Sequence, residues 1–299
     1  RVAPLFRDIA GGPLCADGSV VCIGAFDGLH LGHQALVRHA VARAHVLGVE
    51  AAALSFEPLP REFFAAASPP PRLGPVRAKF EGLRGLGADV VGLLRFDARM
   101  AAMSPEAFVD AVLVQRLRAR EVWVGPGFRF GHKRAGDLAT LQALGREAGF
   151  IAGEIEPLVV DGERVSSTHI RTALVAGDFE HAARLLGRPY AVSGRVVRGK
   201  QLGRTLGFPT ANMAPDSDGL VPADGVYAGW LFDEAGTRWP VAISVGSNPT
   251  FEGVSRQVEA HVMDRPKERV EDFDLYGQHV RLEFVAHLRP MVAYRGMEA

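Results

Sequence analysis

Hydrophobic positions follow two different rhythms along this chain. In the first half, short apolar runs alternate with segments whose apolar residues recur at helical spacing. Val20 to Ile23 is such a run and ends at Gly24; after a polar turn, Ala35, Leu36, Ala40, Ala44 and Leu47 share one helical face until Gly48 stops the helix. Ala51 to Phe56 predicts a second buried strand, closed by Pro58. A helix over Lys79 to Leu86 leads to a third strand at Val90 to Leu94. Ser104-Pro105-Glu106 reads as a helix start, with the serine hydroxyl as cap and proline in the first turn. Val122 to Val124 gives a fourth strand, ending at Gly125. This alternation predicts a mostly parallel sheet with helices on both faces.

The rhythm changes at Gly187-Arg188-Pro189. Beyond it, short strand patterns are broken by glycine and proline turns: Ala191 to Val197, Val226 to Phe232, Val241 to Val245, Gln257 to Met263 and His279 to Phe284. Long helical patterns are absent from this half, which predicts a small antiparallel β-barrel. The expected architecture is therefore α/β followed by β, with domains at 1–186 and 187–299.

Composition narrows the picture. The chain has 299 residues, enough for two domains at the usual size of roughly 100–200 residues each. It is 47% hydrophobic and 23% charged, the balance of an ordinary folded protein rather than a disordered one. Lys plus Arg and Asp plus Glu number 34 each, so charge gives no sign of a nucleic-acid or membrane partner. No apolar run approaches the roughly 18 residues of a membrane span, and the first 19 residues lack the apolar core of a signal peptide. A cytoplasmic enzyme is expected. Cys15 and Cys22 are too few for a disulfide framework and have no zinc-ligand spacing around them; Cys22 sits in an apolar run and reads as core.

The most informative stretch is Gly24-Ala25-Phe26-Asp27-Gly28-Leu29-His30-Leu31-Gly32-His33, between the first strand and the first helix. Ligands of open α/β sheets bind at the carboxyl ends of strands, and a helix start offers backbone N–H groups to phosphate. Two histidines flanking a glycine can both face that phosphate; the plainer alternative is a glycine-rich turn with surface histidines. Ser166-Ser167-Thr168-His169-Ile170-Arg171 opens another helix. Its hydroxyls suit helix capping, and with the arginine they also suit an anion. Val124-Gly125-Pro126-Gly127-Phe128-Arg129-Phe130-Gly131-His132-Lys133-Arg134 reads, from its glycine and aromatic content, as a loop over a ligand. Together these residues resemble the His-x-Gly-His nucleotidyltransferase superfamily, which transfers adenylyl groups by positioning and charge stabilisation.

The second half carries its own candidate chemistry. Gly194 to Arg204 is glycine-rich, and Gly199, Lys200 and Gly203 could cradle phosphates, although the Gly-Lys-Ser/Thr order of a Walker A loop is missing. In Gly207-Phe208-Pro209-Thr210-Ala211-Asn212, an extended backbone would put Thr210 and Asn212 on one face, where their oxygens suit Mg²⁺. A glycine-rich hairpin is the other reading. Glu259 and His261 likewise share a strand face, opposite Val258 and Val262; Glu259 suits a general base, or is simply an outward charge.

With these stretches in order along nearly the whole chain, the sequence resembles the bacterial bifunctional riboflavin kinase and FAD synthetase family. Phe56-Glu57-Pro58, Gly225-Val226-Tyr227, Pro249-Thr250-Phe251 and Asp274-Leu275-Tyr276-Gly277 extend the match. The resemblance implies a Rossmann-like nucleotidyltransferase domain followed by a barrel kinase. It implies ATP and phosphate binding at Gly24, Asp27, Gly28, His30, His33, Ser167, Thr168 and Arg171, and at Gly199, Lys200 and Gly203 in the kinase. It further implies Mg²⁺ at Thr210 and Asn212, Glu259 as kinase base, and flavin contacts at Phe128, Arg129 and Tyr276. Riboflavin, FMN, FAD and ATP are the implied small-molecule partners. Two departures stand out: many members carry His in place of Leu59, and Asp or Asn in place of Gly127.

Overall fold

The computed structural model describes residues 4–199, 209–215, 217, 219–250, 253–263 and 274–290. The chain divides into two compact units, one of residues 1–70 and 76–165, the other of 71–75 and 166–299.

The first unit is built on six strands: β1 (Leu5–Phe6), β2 (Ser19–Ile23), β3 (Glu50–Glu57), β4 (Val90–Arg95), β5 (Ala119–Val124) and β6 (Ile151–Glu154). They lie in the order β1-β4-β3-β2-β5-β6, and every pairing is parallel. Side chains alternate along each strand, so one sequence feeds two cores. Val21, Ile23, Ala52, Leu54, Val90 and Leu94 enter one cluster, while Val20, Cys22, Ala51, Ala53, Val91 and Leu93 enter the other. That is why these strands read as unbroken apolar runs. Cys15 and Cys22 are both buried, and burial pushes each thiol up to about 12, so neither is a reactive thiolate.

Helices α1 (Leu31–Leu47), α2 (Pro60–Phe64), α3 (Val76–Gly85), α4 (Ala98–Ala101), α5 (Pro105–Phe108) and α6 (Leu138–Ala148) complete this unit. α1 ends at Gly48 in a left-handed cap, and Ser104 caps α5 by accepting the Ala107 N–H at 3.1 Å, both as the sequence predicts. α5 runs on through a wider π-type turn over Val109–Arg116. A two-stranded ribbon of β7 (Val159–Val160) and β8 (Glu163–Arg164) closes the unit.

The second unit begins with α7 (Ser167–Val175) and α8 (Phe179–Leu186) and continues into β9 (Tyr190–Val197), β10 (Thr210–Met213), β11 (Gly225–Phe232), β12 (Arg238–Thr250), β13 (Gly253–Val262) and β14 (His279–Arg289). These six strands close into a barrel in the order β10-β13-β12-β11-β14-β9, antiparallel throughout. Burial alternates strictly along β11, and Val192, Leu231, Ile243, Ala260 and Leu282 fill the interior. Phe179 of α8 covers part of that core: its ring stacks on Phe284 at 5.1 Å and meets Tyr227 edge-on at 5.0 Å. The helices at 166–186 therefore share a core with the barrel, a grouping that starts about twenty residues before the change of rhythm in the sequence.

Candidate functional site

The loop after β2 is short, partly buried and strained. Phe26 and Leu29 both adopt left-handed backbone angles, φ +51° and +41°, and both side chains are buried. Strain of this kind in bulky residues persists only where the surroundings hold it. Two cations do so. The Arg61 guanidinium, from α2, donates to the Asp27 carboxylate at 2.5 Å. The Lys79 ammonium, from α3, reaches the Ala25 carbonyl at 3.1 Å.

His30 and His33 come together at the start of α1, with different contacts. His30 is the cap of α1, its Nδ1 accepting the His33 N–H at 3.1 Å. The two imidazoles stack at 3.6 Å and 11°. A Cβ at Gly32 would come within 2.9 Å of the His30 ring, so glycine is what lets the rings close. Gly24, Asp27 and Gly28 lie on the same loop.

Phe128 and Arg129 line a cavity of about 270 Å³ in the same unit, with Phe56, Phe96, Phe108 and Phe130 among its aromatic walls. Phe128 stacks on Phe130 at 5.4 Å and 14°. Gly127, beside it, has φ +74°. Asn and Asp are the other residues that tolerate that conformation. Leu59 is buried, and its N–H is taken by the Glu62 carboxylate at 2.8 Å.

In the second unit Ser166 caps α7, accepting the His169 N–H at 3.1 Å, so Ser167 and Thr168 occupy the first turn, where N–H groups lack helical partners. Arg171 is anchored by donating to the Pro71 carbonyl at 3.0 Å.

On the barrel, strand register assembles the second candidate site. β10 and β13 pair so that Thr210 stands opposite His261 and Asn212 opposite Glu259. All four side chains point outward, because Ala211, Met213, Val258, Ala260 and Val262 take the alternate, inward positions. Thr210 Oγ1 lies 2.9 Å from His261 Nδ1, and His261 Nε2 lies 3.8 Å from the Glu259 carboxylate. Burial holds the His261 imidazole below its ordinary value, against the opposing pull of Glu259. The Glu259 side chain is 37% exposed and so open to a substrate.

Two adjoining clefts flank this array. One, about 190 Å³, is lined by Gly199, Thr210, Asn212 and Tyr276 among others; the second, about 340 Å³, by Gly199, Asn212 and Glu259. Arg198 lies over the Tyr276 ring at 4.8 Å. Of the residues singled out from the sequence, Gly199, Thr210, Asn212, Glu259 and Tyr276 thus converge, while Lys200 and Gly203 lie outside the described residues. Arg61, Lys79 and His261 are the additions. Alternation already put His261 beside Glu259, but nothing local marks Arg61 or Lys79.

A strained loop and helix start thus lie at the end of a parallel strand in the first unit, and a polar array lies on the outside of the closed barrel in the second. Comparison with known proteins also divides the chain in two. The family model for FAD synthetase matches residues 13–169, and that for riboflavin kinase matches 186–299. Curated proteins named bifunctional riboflavin kinase/FMN adenylyltransferase are 36% identical in Haemophilus influenzae, covering 97% of this chain and 92% of the relative. They are 39% identical in Escherichia coli K12, covering 89% and 83%, and 40% in Pseudomonas fluorescens, covering 94% and 88%. This chain belongs to the bifunctional riboflavin kinase/FMN adenylyltransferase family. A solved structure described as a macrolide-efflux protein from Streptococcus pneumoniae has the same fold, with a TM-score of 0.84 and 25% identity over 99% of this chain and 94% of that one. Among the described residues here, no helix is long and apolar enough to cross a membrane.

Proposed function

We propose that this chain makes FAD from riboflavin in two ATP-dependent steps at the two sites just described. In the first, the ribityl 5′-hydroxyl of riboflavin attacks the γ-phosphorus of ATP, giving FMN and ADP. In the second, a phosphate oxygen of FMN attacks the α-phosphorus of another ATP, giving FAD and pyrophosphate. Membership of the family supports both activities.

The geometry supports the following residue roles. Glu259 takes the hydroxyl proton in the kinase step; its exposure in the lining of the larger cleft is the observation that supports this assignment. Thr210 and Asn212 would hold Mg²⁺ delivered with ATP, their hydroxyl and amide oxygens being the hard donors that ion prefers. The ion would supply charge neutralisation on the phosphates. Gly199, with Lys200 and Gly203, binds phosphate, and Tyr276 contacts the flavin. In the adenylyl step, His30, His33 and the loop residues Gly24, Asp27 and Gly28 receive the phosphates of ATP, and Ser167, Thr168 and Arg171 contribute to the same task. The aromatic cavity at Phe128 and Arg129 suits the flat isoalloxazine ring. The adenylyltransferase domain is 1–186 and the kinase domain 187–299, and dependence on ATP supports a cytoplasmic location.

The direct test is to incubate the protein with riboflavin, ATP and Mg²⁺ and to separate the flavins by chromatography. FMN should appear first and FAD after it. Failure to form FMN removes the kinase assignment; failure to convert added FMN removes the adenylyltransferase assignment.

A further inference from the structure

Lys79 is a buried cation whose place in the first unit is not explained by packing. It sits on α3 and is 5% exposed, in a stretch where a helix facing a core would ordinarily carry an apolar residue. Its ammonium reaches four groups at the ends of two strands: the Ala25 carbonyl at 3.1 Å, the Ser55 hydroxyl at 3.1 Å, the Phe56 carbonyl at 3.5 Å and the Glu57 carboxylate at 2.6 Å. Ser55, itself fully buried, donates its own proton to the same Ala25 carbonyl at 3.1 Å.

An ion pair in such a place is weak evidence for stability, since apolar replacement of both partners is often neutral or better. The other three bonds matter more. Ala25 immediately precedes Phe26, the first of the two left-handed residues in the loop. Its carbonyl receives two donors, Lys79 and Ser55, which fixes the peptide from which the strained turn departs. Asp27, immediately after Phe26, is fixed by Arg61. The strained residue is thus held on both sides, and the backbone N–H groups beyond it are aimed accordingly.

We propose that Lys79 is a positioning residue for adenylyl transfer: by holding the Ala25 carbonyl it keeps the strained loop in the conformation that receives the phosphates of ATP. The proposal rests on the reading of this loop as the phosphate cradle. Lys79 need not touch ATP; its effect is transmitted through the Ala25–Phe26 backbone.

The experiment uses the full chain. In Lys79→Met, kcat for conversion of FMN to FAD should fall about 10²-fold, the scale of a misplacement near 1 Å, with KM for ATP moving less. Thermal unfolding is followed in parallel, because Met leaves Glu57 without its counter-charge. The double variant Lys79→Met/Glu57→Gln removes both charges. It should regain stability while kcat stays low, which a merely structural lysine would not produce. Recovery of kcat together with stability would overturn the proposal. Should Lys79→Met not fold, Ser55→Ala takes its place; it removes one of the two donors to Ala25 and should slow adenylyl transfer about 3–10-fold, the worth of one hydrogen bond. An unchanged rate there would also overturn it. His30→Ala and His33→Ala are measured beside these. If they leave the rate intact, the cradle reading has failed; if they slow it and Lys79→Met does not, the inference alone has failed.

Discussion

The loop at residues 24–33 and the outer face of the β10·β13 pair hold their polar groups in place by different means. The loop is contiguous in sequence, and its geometry lives in its own backbone, with Phe26 and Leu29 in left-handed conformations. Besides its own bonds, Leu29 N–H to the Phe26 carbonyl at 3.3 Å and His33 N–H to His30 Nδ1 at 3.1 Å, groups from elsewhere clamp it: Lys79 on Ala25 and Arg61 on Asp27. The barrel face is discontinuous, drawing Thr210 and Asn212 from one strand and Glu259 and His261 from another about fifty residues away. It needs no clamp, because the hydrogen-bonded ladder sets the spacing of all four. A site made from a loop depends on its neighbours; a site made from register depends on the whole barrel.

That contrast can be broken by substitutions confined to one side. Glu259→Gln keeps the side-chain shape and removes the base. Phosphorylation of riboflavin should fall roughly 10²–10⁴-fold, with conversion of supplied FMN to FAD near the normal rate, measured by following both products. Loss of both reactions would show that the two sites are not independent. Phe179→Ala tests the dependence of the barrel site on its core. Truncating a buried ring of this kind costs about 3–5 kcal/mol, and the loss should appear as a lower denaturation midpoint, with riboflavin phosphorylation failing at a lower temperature. An unchanged midpoint would separate α8 from the barrel core. His30→Ala or His33→Ala should slow adenylyl transfer about 10²–10³-fold and leave the kinase rate alone.

A smaller effect concerns the first unit only. Arg43 binds both oxygens of the buried Glu121 carboxylate, at 2.5 to 3.1 Å, and its hydrogen bonds hold Glu121 below the ordinary carboxylate value. A depressed carboxylate stabilises the fold above its unfolded value, and that contribution is lost as pH falls through the folded one. Arg43→Met should therefore lower the thermal midpoint modestly at neutral pH, since Arg43 is partly exposed and solvent screens its charge. The difference from wild type should shrink as the pH drops below about 4.5, the ordinary value for this carboxyl. A pH-independent difference in thermal midpoint would contradict the assignment.

The sequence made the loop legible because its residues adjoin, and made the barrel legible because period-two alternation survives strand by strand. Val20–Ile23, Ala51–Phe56 and Val90–Leu94 were readable as strands since both their faces are buried. β1 and β6 were not: the first has two residues, and the second, Ile151-Ala152-Gly153-Glu154, carries neither an apolar run nor alternation. Which core α8 covers is decided by Tyr227 and Phe284, about fifty and a hundred residues downstream of Phe179. Lys79, Arg61 and Arg43 were missed for one reason. A charged residue on a helix reads as solvent-facing until its partner is known, and each partner is distant in sequence.

The inward and outward alternation of the barrel has a consequence for how this enzyme tolerates change. Along β13, Val258, Ala260 and Val262 answer only to packing, while Gln257, Glu259 and His261 answer only to what lies outside. A comprehensive substitution library selected for kinase activity should show stripes of two residues' period. Inward sites should accept apolar replacements of similar volume, and outward sites should sort by chemistry regardless of size. Drift in one set leaves the other untouched, so the barrel can vary the ligand chemistry of its surface without refolding its interior.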